Sequence, residues 1–306
     1  MLPHLPVEIY GLIVDEVSCG RALRQIRLVN STLCALATPS AFRCAFITNT
    51  AAGVQKFTQL LDCDYLACYV REVVYEDVHA RPASEQEIGN AYNYDMRFQL
   101  TEALKQIGAF PNLRALTFVF TSERDLYSVW VPSPGHILTQ FCAIATLNSI
   151  ADALTGRLHH LALDGLIPHY HVIYSHPPLL TLLASLRTLR ISTAAAQADL
   201  SQWSDFWLHN VQDDIMRGLA PAPALTRLVL RSANPAHDHP ALEVDELAFL
   251  ALEELAVPHM VVGSDEFVER HPRLQKWNDG LRAWSREAGW HDARASRGRA
   301  LQASRT

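Results

Sequence analysis

The chain has 306 residues, of which 49% are hydrophobic and 19% charged, and a net charge of −6 at pH 7. This composition is typical of globular proteins, and the length allows a sizeable core, in one large domain or in an elongated array with a small attached domain. The negative net charge argues against a general nucleic-acid-binding protein, which would carry a basic face.

The sequence also predicts the compartment. No apolar run reaches the roughly 18 to 20 residues that a membrane span requires. Pro3, Pro6 and Glu8 interrupt the N-terminus where a signal peptide would be apolar. We therefore expect no membrane association and a location in the cytoplasm, the nucleus or both. The six cysteines form no C-x-x-C pair, and free thiols are their expected state in a reducing compartment.

Residues 5–47 predict a small helical unit. A helix begins near Val7, after a proline that suits a first turn because its missing N–H would have no helical partner. Ile9, Ile13 and Val17 recur at helical spacing, and residues 18–20 break the pattern. Residues 22–37 then predict one further helix that ends at Pro39, and 41–47 is a short apolar run. So short a first helix must pack on something, either this chain or another.

After residue 50 a six-residue pattern recurs. Apolar residues occupy its first, fourth and sixth positions. The copies are VREVVY (70–75), LRALTF (113–118), LHHLAL (158–163), LRTLRI (186–191), LTRLVL (225–230) and LEELAV (252–257), with a weaker LQKW (274–277). Alternation at the last places predicts a short strand with two inward side chains, and the first apolar residue closes the turn into that strand.

Helix-like segments precede most copies: 53–63, 96–108, 137–156, 177–184 and 205–220. One strand and one helix cannot bury their own apolar faces, so such units stack side by side. The intervals Leu161 to Leu189 and Leu228 to Leu255 fall within the leucine-rich-repeat range of roughly 20 to 29 residues. The remaining intervals are longer, and segments 123–135 and 164–178 are predicted insertion loops.

The sequence thus predicts an α/β fold, with parallel neighbouring strands on one face and helices on the other. The middle leucines, Leu116, Leu161, Leu189, Leu228 and Leu255, should be buried. We divide the chain into a helical domain (1–50), a repeat domain (51–290) and a basic tail (291–306) whose Arg-, Ser- and Ala-rich composition predicts disorder.

The N-terminal unit resembles an F-box of the variety common in fungi. The residues that carry the resemblance are Leu5-Pro6-Val7-Glu8-Ile9, then Leu28-Val29-Asn30-Ser31, and a closing aromatic segment with Phe42-Arg43 and Phe46-Ile47. Together with the leucine-rich array, the resemblance implies an F-box unit of three helices, followed by an irregular leucine-rich-repeat solenoid.

The resemblance also implies a function. The helical unit would bind the Skp adaptor, and through it a cullin, while the repeats would bind a protein substrate for ubiquitination. The adaptor-binding residues implied are Leu5, Pro6, Ile9, Ile13, Leu28, Val29 and Leu33. Leu33 stands in the third segment, where this type of family often has a tryptophan.

Three alternatives are open. The helical unit could be a plain cap that seals the first repeat, as stacked repeats require. The whole chain could be a repeat scaffold that binds a protein partner without any link to ubiquitination. The third and weakest alternative is a hydrolase-like enzyme that uses the histidine-containing loop.

Other motifs favour neither catalysis nor a cofactor. The sequence has no G-x-S-x-G, Walker glycine loop, H-E-x-x-H or G-x-G-x-x-G pattern, so we expect a protein that is not an enzyme. The candidate metal ligands are His159, His160, His169, His171 and His176, with His237 and His239 in a second loop. His159 and His160 fall within one strand pattern, where neighbours point to opposite faces, and we expect no metal site.

One further segment is rich in aromatic residues. Its side chains Trp203, Phe206 and Trp207 share one face of a predicted helix. This face belongs either to the core or to a patch that binds a partner.

Overall fold

The computed structural model describes residues 5–77, 94–120, 134–166, 177–193, 222–231, 249–256, 264–278 and 282–292. Within these residues lie nine α-helices: α1 (Val7–Asp15), α2 (Gly20–Ile26), α3 (Ser31–Ala41), α4 (Ala51–Leu61), α5 (Asp64–Ala67), α6 (Tyr94–Lys105), α7 (Pro134–Leu154), α8 (Pro177–Ser185) and α9 (Ser264–Arg270). A 3-10 helix, Gln106–Ala109, follows α6.

The strands of the described residues are β1 (Cys44–Thr48), β2 (Glu72–Glu76), β3 (Ala115–Val119), β4 (His160–Leu166), β5 (Thr188–Thr193), β6 (Arg227–Arg231), β7 (Glu254–Ala256), β8 (Lys276–Asn278), β9 (Arg282–Ser285) and β10 (Gly289–Asp292). They form one sheet in which each strand lies beside its neighbour in the chain. Strands β1 to β8 are parallel throughout, so the predicted parallel arrangement of the six motifs is confirmed.

The last two strands reverse direction. Strand β9 pairs antiparallel with both β8 and β10, which places Trp284 opposite Trp277 on one side and opposite Trp290 on the other. Gly289 begins β10 at φ 67°, a left-handed conformation that favours glycine. An antiparallel hairpin therefore ends the parallel array.

The core lies on the helix-bearing face of the sheet. The first five motifs bury both inward side chains of their strands, whereas in the sixth Leu255 is buried and Val257 lies outside the described residues. The predicted leucines Leu116, Leu161, Leu189, Leu228 and Leu255 are all buried. The first apolar residue of each motif is buried as well: Val70, Leu113, Leu158, Leu186, Leu225, Leu252 and, in the weaker copy, Leu274. Helices α4, α6, α7 and α8 supply the opposing side chains, with Phe57 and Phe110 in an edge-to-face contact at 5.6 Å.

Polar side chains connect successive turns between helix and strand. The Nδ2 of Asn112 donates to the Cys68 carbonyl at 2.6 Å. The guanidinium of Arg157 donates to the carbonyls of Gly108 at 3.1 Å and Phe110 at 2.5 Å. The turns that precede β2, β3 and β4 are thereby held against one another by side chains as well as by the strand ladder.

The sheet begins earlier than the repeated motif. Residues 41–47, interpreted from the sequence only as a short apolar run, supply β1, which pairs in register with β2 from Cys44 opposite Glu72 to Thr48 opposite Glu76. Ala45 and Ile47 are buried while Phe46 is exposed. The closing aromatic segment of the F-box resemblance thus contributes the first strand of the sheet.

The prediction of one helix over 22–37 is wrong. Helix α2 ends at Ile26 and α3 begins at Ser31, because Asn30 adopts an extended conformation and its side chain accepts a hydrogen bond from the Leu33 N–H at 2.8 Å. Asparagine is favoured at this capping position because it satisfies a helix-terminal donor. Helix α3 also continues through Pro39 to Ala41 instead of stopping before it.

We expect Asn30→Ala to lower the free energy of unfolding by about 1 kcal/mol, since the alanine cannot accept from the Leu33 N–H. Urea denaturation followed by circular dichroism measures the change. Asn30→Ser, which keeps an acceptor, is the control and should retain most of the stability. Equal stability of the alanine variant and the wild type would contradict the assigned cap.

Several predicted features lie outside the described residues. These are most of the two insertion loops, the predicted helix 205–220 with Trp203, Phe206 and Trp207, and the tail after Asp292. Among the helices that the structure does describe, none has the length and apolar character needed to cross a membrane.

Candidate functional site

Helices α1, α2 and α3 form a unit with a small core of its own. Its buried apolar side chains are Val14, Leu23, Leu33, Ala37 and Ala41, with Tyr10, Val17, Ile26, Leu36 and Phe42 packed around them. This cluster is separate from the core of the sheet. The unit therefore has its own packing in addition to its covalent connection to β1.

Helix α1 is apolar on two sides. Tyr10 and Val14, four residues apart, face the small core. Ile9, Leu12 and Ile13 lie on the other side of the helix and are 40%, 63% and 44% exposed. A surface helix normally carries polar residues opposite its core-facing side. Three large aliphatic side chains there make this side of α1 a candidate partner-binding surface.

The grouping of Ile9, Ile13 and Val17 on one face is wrong for Val17. Helix α1 ends at Asp15, so Val17 leaves the helical spacing and packs against the small core. Ile9 and Ile13 instead belong to the exposed side with Leu12. Leu12 was not among the residues predicted from the sequence, although its spacing of three from Ile9 is a usable signal.

The entry to α1 is also apolar and exposed. Pro6 precedes the helix in an extended conformation, and its carbonyl accepts from the N–H groups of Ile9 at 3.0 Å and Tyr10 at 3.3 Å. Leu5 and Val7, on either side of it, are exposed. We call the exposed residues Leu5, Pro6, Val7, Ile9, Leu12 and Ile13 the α1 patch.

A second exposed pair lies in the turn between α2 and α3. Leu28 and Val29 are 80% and 68% exposed. Their backbone N–H groups donate to the carbonyls of Gln25 at 3.0 Å and Ile26 at 3.1 Å. The end of α2 therefore fixes this turn from one side and the Asn30 cap from the other, so the two side chains are presented on a defined backbone.

Arg27 ties this turn to α3. Its Nε donates to the Thr38 hydroxyl at 2.8 Å, and that hydroxyl donates to the Cys34 carbonyl at 2.6 Å. The guanidinium also lies over the Phe42 ring at 4.5 Å, a cation–π distance. Because Thr38 is buried, this pair of hydrogen bonds positions α2 and α3 relative to each other.

Of the seven residues that the sequence assigned to adaptor binding, six are exposed: Leu5, Pro6, Ile9, Ile13, Leu28 and Val29. Leu33 is different, since it is buried in the small core. Its place there supports the exposed residues from inside the unit. Val7 and Leu12 are exposed apolar residues that the sequence did not select.

The open face of the sheet is a second candidate surface. It carries the exposed Phe46 on β1 and two ion pairs, between Arg190 and Asp164 and between Arg227 and Glu254. These pairs join β4 to β5 and β6 to β7. The charges on this part of the face are therefore already paired within the chain.

The histidines do not form a metal site within the described residues, where no cluster of three potential ligands occurs. The rings of His159 and His160 are 6.2 Å apart. Burial, followed by the nearby charges of Arg187 and Arg114, lowers the pKa of His159. His169, His171, His176, His237 and His239 lie outside the described residues.

All six cysteines are free thiols, as the sequence predicted. Their reactivities should differ. The backbone N–H groups of Ala22 and Arg21, at the start of α2, lower the pKa of the exposed Cys19. Burial and the neighbouring Glu72 raise the pKa of Cys44 to about 11.

We expect iodoacetamide at pH 8 to alkylate Cys19 first and Cys44 far more slowly, since only the thiolate reacts. With a pKa of about 11, Cys44 holds roughly one thiolate per thousand molecules at pH 8. Peptide mapping by mass spectrometry at successive times measures both rates. Labelling of Cys44 ahead of Cys19 in the folded protein would contradict these environments.

Comparison with known proteins does not assign the chain to a family. No protein-family model matches the sequence, and no curated protein is significantly similar to it.

Proposed function

We propose that the chain is the substrate-recognition subunit of a ubiquitin ligase of the Skp–cullin–F-box type. In this proposal α1 to α3 are the F-box unit, the strands and helices that follow are a leucine-rich-repeat solenoid, and the protein has no catalytic activity of its own. The cytoplasm or the nucleus is where such a complex would act.

The observation that carries the proposal is the exposure of Ile9, Leu12 and Ile13 on the side of α1 away from its core. Burying aliphatic surface on a partner contributes about 25 cal/mol per Å², so this side has much to gain from association. The same segment begins with the Leu5-Pro6-Val7-Glu8-Ile9 pattern that resembles an F-box. Pro6 adds rigid apolar surface that loses little conformational entropy on binding.

The cap alternative receives less support. A cap would bury the apolar side of α1 against the first repeat. The α1 patch is instead exposed, and the small core of the unit does not merge with the core that contains Ala45 and Ile47 of β1. The arrangement fits a unit that is attached to the sheet and keeps one face for a partner.

The test is co-expression of the full chain with a Skp adaptor, followed by size-exclusion chromatography and isothermal titration calorimetry. The proposal predicts a one-to-one complex that then recruits a cullin. If no complex forms with a correctly folded chain, the ligase assignment fails. The chain is then better described as a repeat scaffold without a link to ubiquitination.

A further inference from the structure

A row of residues in equivalent positions crosses the sheet at the N-terminal ends of the strands. In the motifs this position directly follows the first buried apolar residue, at the turn into the strand, and Arg43 occupies the equivalent position after the half-buried Phe42. A backbone ladder aligns them, with the N–H of each donating to the carbonyl of the preceding one at 2.8 to 2.9 Å. The row, from the β1 side to the β8 side, is Arg43, Arg71, Arg114, His159, Arg187, Thr226, Glu253 and Gln275.

The first five positions form a distinct group, which we call the cationic row: Arg43, Arg71, Arg114, His159 and Arg187. The four arginines are exposed. Adjacent strands are about 4.8 Å apart, so five positions span roughly 19 Å. At the sixth position the row changes character, with neutral and acidic residues from Thr226 onward.

The charges of this row are not neutralised within the described part of the chain. The ion pairs found there join other arginines and a lysine to carboxylates, and none includes Arg43, Arg71, Arg114 or Arg187. Arg114 donates to a backbone carbonyl, that of Arg157, at 3.1 Å. The acidic residue nearest in sequence to this row is Glu72, which follows Arg71. Glu72 lies opposite Cys44 on the open face of the sheet.

This concentration of positive charge acts on two neighbouring groups. Arg187 and Arg114 both act against protonation of His159, adding to the effect of its partial burial on its pKa. Arg24 of α2 and Arg43 both favour the thiolate of Cys44, although burial outweighs them. In a chain with a net charge of −6, a line of four exposed arginines is a local exception. Like charges at this spacing repel one another unless an anion separates them.

We propose that the cationic row binds an extended acidic segment of a partner protein, a run of aspartates and glutamates. Guanidinium groups bind carboxylates through two parallel N–H···O bonds, and four of the five positions of the row carry this donor, His159 being the exception. The arrangement is linear, whereas a single phosphate group would need arginines that converge on one point. A line of carboxylates on an extended chain matches it better.

Single-stranded nucleic acid is a poorer fit, although its charges are also linear. Binding of single strands combines a basic groove with aromatic side chains on which bases stack. The five positions of the cationic row include no aromatic residue other than His159, so the row lacks the stacking platform that single strands use.

This inference does not depend on adaptor binding. The cationic row lies on the sheet and the α1 patch on the helical unit, so the two surfaces can be tested separately with the same full-length chain. A variant that loses binding at one surface should keep binding at the other.

The experiment measures fluorescence anisotropy of a labelled decaglutamate peptide with the full chain, at about 50 mM and about 200 mM salt. We expect binding that weakens as salt screens the charges. The double variant Arg71→Gln, Arg114→Gln should bind at least about tenfold more weakly, because each arginine loses a charge-assisted contact. The control variant Arg21→Gln, Arg273→Gln removes the same charge from two exposed positions outside the row and should bind within about twofold of wild type.

Three outcomes would overturn the proposal. The peptide does not bind the wild type, the two double variants weaken binding equally, or a decathymidine strand binds more tightly than the peptide and loses affinity in the same variant. Thermal denaturation confirms that each variant is folded. Unchanged adaptor binding by the Arg71→Gln, Arg114→Gln variant separates a failure of this surface from a failure of the ligase assignment.

Discussion

The double variant Leu5→Ala, Pro6→Ala is expected to lose binding to the Skp adaptor while keeping the melting temperature of the sheet region. Both residues are exposed at the entry to α1, so alanine removes surface that a partner would cover and removes nothing from a core. Burial of one such side chain is worth about 1.5 to 3 kcal/mol. Calorimetric titration with the adaptor and a thermal melt of the same sample measure the two quantities.

The matched control is Val14→Ala, on the same helix but facing the small core. This variant should lower the stability of the helical unit, because it leaves a cavity among Leu23, Leu33 and their neighbours. A folded Leu5→Ala, Pro6→Ala protein that still binds with wild-type affinity would refute the assigned surface. The cap alternative would be favoured if Leu5→Ala, Pro6→Ala destabilises the protein and the wild type does not bind the adaptor.

The second large effect is expected from Leu228→Ala in β6. Leu228 is fully buried and lies in register between Leu189 of β5 and Leu255 of β7. Removing three carbon atoms from such a site costs roughly 2 to 5 kcal/mol, through lost transfer energy and the cavity that remains. Urea denaturation followed by circular dichroism gives the change in free energy of unfolding.

Arg227→Ala provides the comparison on the same strand. Its ion pair with Glu254 has an N–O distance of 2.9 Å, but half of the Arg227 side chain is exposed. Partly exposed pairs contribute at most about 1 kcal/mol, so this variant should be much milder than Leu228→Ala. Equal losses from the two variants would contradict the assignment of the strand's inward face.

The sequence was most informative about the repeated strands. Leu116, Leu161, Leu189 and the other middle leucines recur with a fixed partner three places before and two places after. That spacing couples a turn to a half-buried strand, so burial and parallel order could both be predicted. The pairing of β1 to β8 agrees with it.

Strand β1 was harder to predict because its middle apolar residue is small. Phe42, Ala45 and Ile47 follow the same spacing, but the middle position is alanine. Alanine buries too little surface to stand out in a hydrophobicity pattern, and its role becomes visible only when β2 lies beside it. The antiparallel hairpin β9–β10 was not predicted, because the repeated motif does not indicate where the series of parallel strands stops.

The helical unit was predicted in part. The spacing of Leu23, Ile26 and Leu33 is continuous with one helix, and periodicity alone cannot detect the Asn30 cap that divides it. Of the exposed apolar residues proposed for docking, Leu5, Pro6, Ile9, Ile13, Leu28 and Val29 were predicted from the sequence. Leu12 was not selected although it lies three residues after Ile9, because a leucine on a short amphipathic helix is compatible with core and surface until its neighbours are placed.

The order of strands in the sheet has a consequence for biosynthesis. Each parallel strand pairs with the one before it, so its partner has already been synthesised when it is made. No strand must wait for a later segment to insert beside it. The nascent chain can therefore fold progressively from β1. At each stage its newest strand is an unpaired edge open to aggregation, until translation of the β9–β10 hairpin ends the parallel series.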